Sequence, residues 1–222
     1  MKISAVVPIR SGSQRVPNKN IKKFLDTNLL EHKIHILKQI KKSLLDEIII
    51  NTNCEIAAKI GKKHKLSVHI RDEYFASSNV TNAENWHHLA SVTDTDNILL
   101  AQVTSPFVTL NSYESAIRKF INNQEFDSLN SVSVEKKFLW NSEGPINYNY
   151  DKTPKSQDLP NIFSLNFAIS LINKETMLNQ KNVVGTKPLF YELSKLESID
   201  IDDSFDFTFS EILMRKYYSS YY

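Results

Sequence analysis

The feature that most constrains this chain is a rhythm. Short continuous apolar runs at ISAVVP (3–8), EIIINT (47–52), LSVHI (66–70), NILLAQV (97–103) and SLNSVSV (128–134) alternate with stretches of helical spacing. A run with no polar alternation suits a strand buried on both faces, which a parallel sheet sandwiched between helices provides. Helices are expected over 29–44, where Leu29, Leu30, Ile34, Leu37, Ile40 and Leu44 recur at helical spacing with lysines opposite, and around 54–64, 83–92 and 112–122. The connections are short, so the expected fold class is α/β: a Rossmann-like, mostly parallel, doubly wound sheet. The 222 residues are read as one such domain, 1–222.

After about residue 135 the rhythm breaks. Residues 136–162 carry Gly144, Pro145, Pro154 and Pro160 among several Asn and Tyr, the composition of a hairpin or extended excursion. Residues 135–165 are accordingly expected to form an inserted arm that folds over the site or serves dimerisation, although an ordinary surface loop has the same signature. Later strands are expected at 166–172, 187–193 and 198–201, and a closing helix at 204–217.

Charge and cysteine content narrow the function classes. Lys plus Arg number 27 against 25 Asp plus Glu, a net +2, so no nucleic-acid coat or polybasic membrane anchor is indicated and any basic site must be local. Cys54 is the only cysteine, which excludes an internal disulfide framework and a Cys-based zinc site. The first residues lack the pattern of a secretory signal and no stretch reaches about 18 apolar residues. The expectation is a cytoplasmic protein with no membrane or nucleic-acid partner.

Local charge is found where a doubly wound sheet binds ligands, outside the carboxyl end of its first strand. Residues 9–20 pack Arg10, Arg15 and Lys19 around Gly12, which Ser11 and Ser13 flank. The glycine permits a tight turn that exposes backbone N–H groups, and the cations add charge-assisted donors suited to phosphate oxygens. GxxxxGK[ST] and GxGxxG cannot be assembled from Gly12, Gly61, Gly144 and Gly185, so a P-loop kinase or a dinucleotide enzyme is disfavoured. A solvated basic loop is the plain alternative.

Four stretches in order carry a resemblance. PIRSGSQRVPNKN (8–20) resembles the ARGGSKRIPNKN signature of the acylneuraminate cytidylyltransferases, which activate nonulosonic sugar acids with CTP. HIRDEYFASSNVTNAE (69–84) is similar to that family's RPxxLAxDxA segment, LLAQVTSPF (99–107) to LLQPTSPL, and SIDIDDSFDF (198–207) to DIDTxxD. The resemblance covers nearly the whole chain and is specific for the family, not for an acceptor.

It implies roles residue by residue. Arg10, Ser13, Gln14, Arg15, Lys19 and Asn20 fall in the stretch that embraces the CTP triphosphate and nucleotide, with Gln14 where many members have Lys. Arg71 matches the arginine of the RP segment, and Asn82 stands where a small hydroxyl residue often lies near the nucleotide. Gln102, Thr104 and Ser105 match the QPTSP segment expected near the acceptor sugar. TPKSQDLPNIFSLNFAIS (153–170) is similar to the RxQDLP…N region, placing Lys155 in the approximate slot of an arginine and Asn166 on the asparagine of an NGA strand. Arg10, Lys19, Asp200 and Asp202 are the expected catalytic set, with CTP as substrate, Mg²⁺ or another divalent cation as cofactor, and a homodimer as the assembly. Ser78, Val108, Lys155 and Phe167 depart from the family pattern, which admits an acceptor of Kdo-like, pseudaminic, legionaminic or phosphonate type, or a relative that binds nucleotide without turnover.

Asp200 and Asp202 also have a reading of their own. On a strand, residues i and i+2 share a face, so the two carboxylates would converge on one hard cation. Asp203 and Asp206 read better at the start of the last helix, with Asp203 or Ser204 as its N-cap and Asp206 in its first turn. His87 and His88, adjacent on a helix, point apart and do not form a metal pair; His64 and His69 lack a third ligand. Cys54 reads as a partly buried residue, Ser13 and Ser105 lack a hydrolase elbow, and the terminal YYSSYY as a helix end that packs on the surface or a partner.

Overall fold

The computed structural model describes residues 1–13 and 15–217. Gln14 and all of the terminal YYSSYY except Tyr217 lie outside the described residues. In chain order the elements are β1 (Ile3–Ile9), β2 (Lys23–Phe24), β3 (Thr27–Asn28), α1 (Leu29–Gln39), β4 (Glu47–Thr52), α2 (Glu55–Lys63), β5 (Ser67–Ile70), α3 (Glu73–Ala76), α4 (Asn82–Ser91), β6 (Asn97–Leu100) and α5 (Leu110–Ile121). Then follow β7 (Ser128–Glu135), β8 (Trp140–Asn141), β9 (Gly144–Pro145), β10 (Ile162–Asn173), α6 (Lys174–Gln180), β11 (Pro188–Glu192) and α7 (Ser204–Tyr217).

Seven strands form one sheet in the order β11-β7-β10-β6-β1-β4-β5. β10 pairs antiparallel with both β6 and β7, whereas the β1–β4, β1–β6, β4–β5 and β7–β11 pairs are all parallel. The expected mostly parallel sheet is thus what forms. Strand period explains the two cores. Ala5, Val7 and Ile9 of β1 face one side with Leu30, Ile34 and Leu37 of α1, Ile117 and Phe120 of α5 and Phe207 of α7; Val6 faces the other with Leu89 of α4, Ile98, Leu100 and Met177 of α6. Both faces of β1 are dry, which is why its sequence shows no alternation.

Three boundaries differ from the sequence reading. The helix expected over 29–44 stops at Gln39: Ile40 leaves helical geometry at ψ 134°, Glu114 accepts from the Lys41 N–H at 3.1 Å, and a turn on the Lys41 carbonyl returns the chain. Ile40 and Leu44 stay buried, so their helical spacing reports burial and not helix. The strand expected over 97–103 ends at Leu100, because beyond the Ala101 N–H bond to the Val6 carbonyl the chain swings into the loop that holds Gln102 and Thr104. Residues 198–201 form no strand. Their polar groups go elsewhere: the Ser198 N–H closes a turn on Ser194, the Ile201 N–H reaches the Thr104 carbonyl, and Asp206 accepts from the N–H groups of Asp202 and Asp203. The shared strand face proposed for Asp200 and Asp202 therefore does not exist. Asp203 does cap α7, accepting from the N–H groups of Phe205 and Asp206.

The excursion runs between β7 and β10, carrying the small β8–β9 hairpin and two single 3₁₀ turns, Tyr150–Lys152 and Ser156–Asp158. Its return strand β10 is irregular in register between Leu165 and Ser170, and there Phe167 adopts φ 53°. A bulky residue in the left-handed region is strained, and the family resemblance has glycine at this position.

α4, which brings Asn82 and Asn85 to the site, is started by a capping box: Thr81 accepts from the Glu84 N–H, and the Glu84 carboxylate accepts from the Thr81 N–H at 2.9 Å. Replacing Thr81 with Ala is expected to lower unfolding free energy by about 1 kcal/mol in urea titrations, whereas Thr81→Ser keeps wild-type stability.

Candidate active site

The strand order reverses direction between β1 and β6, and at such a switch point the loops at the strand ends part and leave a crevice. A cavity of about 520 Å³ fills it. Arg10, Ser13, Arg15, Lys19 and Asn20 reach it from the loop after β1, Gln102, Val103 and Thr104 from the loop after β6, Arg71 from the end of β5, Asn85 and Trp86 from α4, and Asp202 from the segment before α7.

The loop after β1 is fixed at both ends. Gly12 takes φ 77°, a conformation its neighbours would adopt only under strain. The Ser11 N–H donates to Asn53 Oδ1 at 2.9 Å, Val16 is sunk in the core, and Asn18 at φ 54° closes a turn by accepting from the Ile21 and Lys22 N–H groups. Lys19, on the inner side of that turn, donates through Nζ to the Ile201 carbonyl. Burial pushes the Lys19 ammonium down, against the pull of Asp200 and Asp202. Arg15 pairs with Asp202 at 2.7 Å in an exposed contact, which solvent screens. Arg71 is buried, pushed down to about 10 by its burial and by Arg10 beside it, and stays charged at neutral pH.

Asp200 is an exposed residue and does not line this cavity. Partial desolvation of its carboxyl raises it, Asp202 adds to the rise, and a hydrogen bond from Thr104 and the charge of Lys19 oppose it. The two carboxylates are within electrostatic reach although no strand aligns them. They supply hard oxygen donors of the kind a divalent cation takes, and such a cation held there would relieve their mutual repulsion. Among the described residues no group of three or more His, Cys, Asp or Glu side chains gathers to hold a metal alone.

A second pocket of about 310 Å³ shares Arg10, Arg71 and Asn85 with the first and is lined by Asn82, Ser78, Ser77, Phe75 and Val80. Asn82 and Ser78 thus sit one compartment away from Lys19. Among the described residues Asn20 Oδ1 and Asn85 Oδ1 are buried acceptors with no partner, and both residues line the first cavity. Unpaired buried acceptors cost free energy until a donor reaches them.

Three expected acceptor residues, Asn166, Lys155 and Ser105, do not line either cavity. Asn166 is spent on the fold: it accepts from Ser131 and the Ala168 N–H and donates to Ser133 and Ser198, which pins the irregular part of β10. Lys155 stands exposed in the arm before a 3₁₀ turn. Ser105 is buried behind the cavity wall, and Val108 is wholly in the core.

Sequence reasoning missed the support beneath the loop after β6. Lys33 on α1 is fully buried; its Nζ donates to the Ser105 carbonyl at 2.9 Å and to the Tyr113 hydroxyl at 2.7 Å. Its neighbour His32 bonds through Nε2 to the Pro106 carbonyl at 2.8 Å, which fixes the proton on that nitrogen. In sequence Lys33 is not distinguished from Lys38, the other lysine of α1; that it falls on the buried face is a matter of register.

The Cytidylyltransferase family model matches residues 4–202. An N-acylneuraminate cytidylyltransferase of Escherichia coli is 26% identical over 224 residues, covering 97% of this chain and 52% of that protein, so the chain spans about half the length of that relative. A CMP-N,N'-diacetyllegionaminic acid synthase of Legionella pneumophila is 30% identical, with 96% and 97% covered. The solved structure of CMP:2-keto-3-deoxy-manno-octonic acid synthetase complexed with CTP superposes with a TM-score of 0.72 at 11% identity, covering 97% of this chain and 99% of that one, a likeness of fold.

Burial pushes the Lys33 ammonium down to about 7 in the folded chain, against about 10.4 unfolded. Between those values the unfolded state binds more protons, so this residue makes stability rise with pH. Wild-type stability relative to Lys33→Met is expected to climb by about 1 kcal/mol per pH unit from pH 7.5 to 9.5 in urea titrations. A difference that stays flat over that range would show no dehydrated charge at Lys33.

Proposed function

Because the chain belongs to the cytidylyltransferase family, we propose that it transfers CMP from CTP to the hydroxyl of a nonulosonic, sialic-like sugar acid and releases pyrophosphate. The observation that carries this reading is the convergence of Arg10, Arg15, Lys19 and Arg71, drawn from two distant parts of the chain, on one cavity at the sheet's switch point. Four cations facing a polar crevice suit a polyphosphate whose negative charge grows as pyrophosphate departs.

The acceptor oxygen bonds to the α-phosphorus as the bond to the bridging oxygen breaks. The bonding pair leaves with pyrophosphate, and the hydroxyl proton is lost to solvent or a carboxylate. Positioning and charge stabilisation are the protein's contribution. Arg10 and Lys19 take the triphosphate, and Arg15 turns to it on leaving the exposed pair with Asp202. Arg71, Asn20, Asn82 and Ser13 hold the nucleotide, while Gln102 and Thr104 face the acceptor; Ser105 acts through its carbonyl, which keeps Thr104 in place. A divalent cation held by Asp200 and Asp202 would neutralise charge on phosphate oxygens.

A homodimer through the arm fits the surface it presents. Phe138, Trp140, Ile146 and Tyr150 are all exposed there, an apolar patch of the kind that marks a protein contact. In such an assembly Lys155 would approach the acceptor from the arm. The acceptor class is drawn from the relatives, whose names span N-acylneuraminic and N,N'-diacetyllegionaminic acids.

Pyrophosphate release from CTP and Mg²⁺ across a panel of sialic, legionaminic, pseudaminic, Kdo-like and phosphonate acids tests the reading, with turnover expected on a nonulosonic acid. CTP binding without release on any acceptor would favour a nucleotide-binding relative instead. Lys19→Ala and Asp202→Asn are each expected to cost about 100-fold in kcat/KM with the fold retained. Light scattering should give a dimer, and Trp140→Glu with Ile146→Glu a monomer.

A further inference from the structure

His69 and His88 both face the side-chain amide of Asn51, whose oxygen meets Arg71. The Arg71 N–H bonds to the Thr52 carbonyl at 2.8 Å, and its guanidinium Nε donates to Asn51 Oδ1 at 2.6 Å. A guanidinium has donors only, so the amide oxygen must face it and the amide nitrogen must face away. On that far side, Asn51 Nδ2 lies 2.9 Å from His69 Nδ1 and 3.1 Å from His88 Nε2. An NH₂ group only donates, so both of these ring nitrogens are acceptors and each imidazole carries its proton on the other nitrogen. Both N–H donors of the Asn51 amide, and one acceptor site of its oxygen, are thereby assigned.

The surroundings hold that arrangement. Asn51, Arg71 and His88 are buried, the His88 ring stacks on Phe75 with centroids 4.2 Å apart, and the His69 ring meets it edge-on at 5.5 Å. Burial, then Arg71 and His69, push His88 down to about 4 against the pull of Asp72, so it stays a neutral acceptor at physiological pH. Arg71 itself lines both cavities, with Arg10 close enough to depress it. A cation repelled by another cation at a ligand site needs its orientation fixed from behind.

We propose that Asn51 is the positioning residue of Arg71, locked by His69 and His88 as paired acceptors, and that this lock sets the affinity for the nucleoside triphosphate. The inference rests on the cytidylyltransferase reading for its ligand and on the fold alone for the lock. Neither histidine touches the ligand; each acts through the amide. Loss of the two acceptors frees the amide to rotate, and the Arg71 Nε–H then loses its partner while still buried.

Two readouts test it on the full chain. In ¹⁵N NMR without nucleotide, His69 Nδ1 and His88 Nε2 should be unprotonated at pH 7.5, with the Arg71 Nε–H resolved and slow to exchange; protonated nitrogens at those positions would overturn the lock. CTP affinity by calorimetry then separates hydrogen bonding from packing. The pair His69→Gln with His88→Gln keeps two acceptors and should bind CTP within about threefold of wild type, whereas His69→Phe with His88→Phe keeps aromatic packing and should bind about tenfold more weakly. A purely structural role predicts the opposite order, and equal affinity of the two pairs would also overturn the proposal. Asn51→Ala should lose about tenfold as well. If the wild type shows the NMR signature yet binds no CTP, the nucleotide reading fails while the lock stands, and the link between them is overturned.

Discussion

The site depends on one knot of hydrogen bonds around Thr104 and Ile201. The Ile201 N–H bonds to the Thr104 carbonyl, Lys19 Nζ bonds to the Ile201 carbonyl, and Thr104 bonds to Asp200. The loops after β1 and β6 are thereby tied to each other through a third segment far along the chain. From below, α1 grips the same loop at two consecutive carbonyls, Ser105 through Lys33 and Pro106 through His32. No strand ladder could make these links, because at a switch point the neighbouring strand ends diverge. The irregular course of residues 198–202 is the condition for the knot: a strand there would commit its N–H and C=O groups to a sheet.

Charge is the second constraint. Lys33 and Arg71 are buried and Lys19 is half-buried, and each is pushed down first by its own burial. Such groups are tolerable only when their donors find acceptors. Here the acceptors are the Ile201 carbonyl for Lys19, the Ser105 carbonyl with the Tyr113 hydroxyl for Lys33, and the Asn51 amide for Arg71. Neutral dipoles dominate that support, with Asp200 and Asp202 acting at longer range. Dipoles orient a cation without cancelling its charge, so the cavity keeps a positive field for an anionic ligand while the side chains that make it are held still.

Legibility followed the length scale of the interaction. Arg10, Ser13, Arg15, Lys19 and Asn20 share one loop and were read as a group because proximity in sequence there is proximity in space. Arg71, Gln102 and Thr104 were reached through motif resemblance and do line the cavity, whereas Asn166, read in the same way, is consumed by Ser131, Ser133 and Ser198. Nothing local distinguishes an asparagine that faces a ligand from one that braces a bulge. Asn51 and Lys33 were missed for a related reason. The first sits inside an apolar strand and the second on a helix whose other lysine, Lys38, is exposed, and only the partners across the sheet and the adjoining loop give either a role.

The sequence by itself determined the α/β class, the parallel central strands and the basic loop after β1, because hydrophobic period and turn chemistry are properties of a few adjacent residues. Tertiary structure alone decided where Asp200 and Asp202 stand, which polar residues remain free to meet a ligand and which amide holds Arg71. Those outcomes turn on hydrogen bonds between residues as far apart as 20 and 182 positions. The choice among competing donors and acceptors is made only when the packed elements bring them within reach.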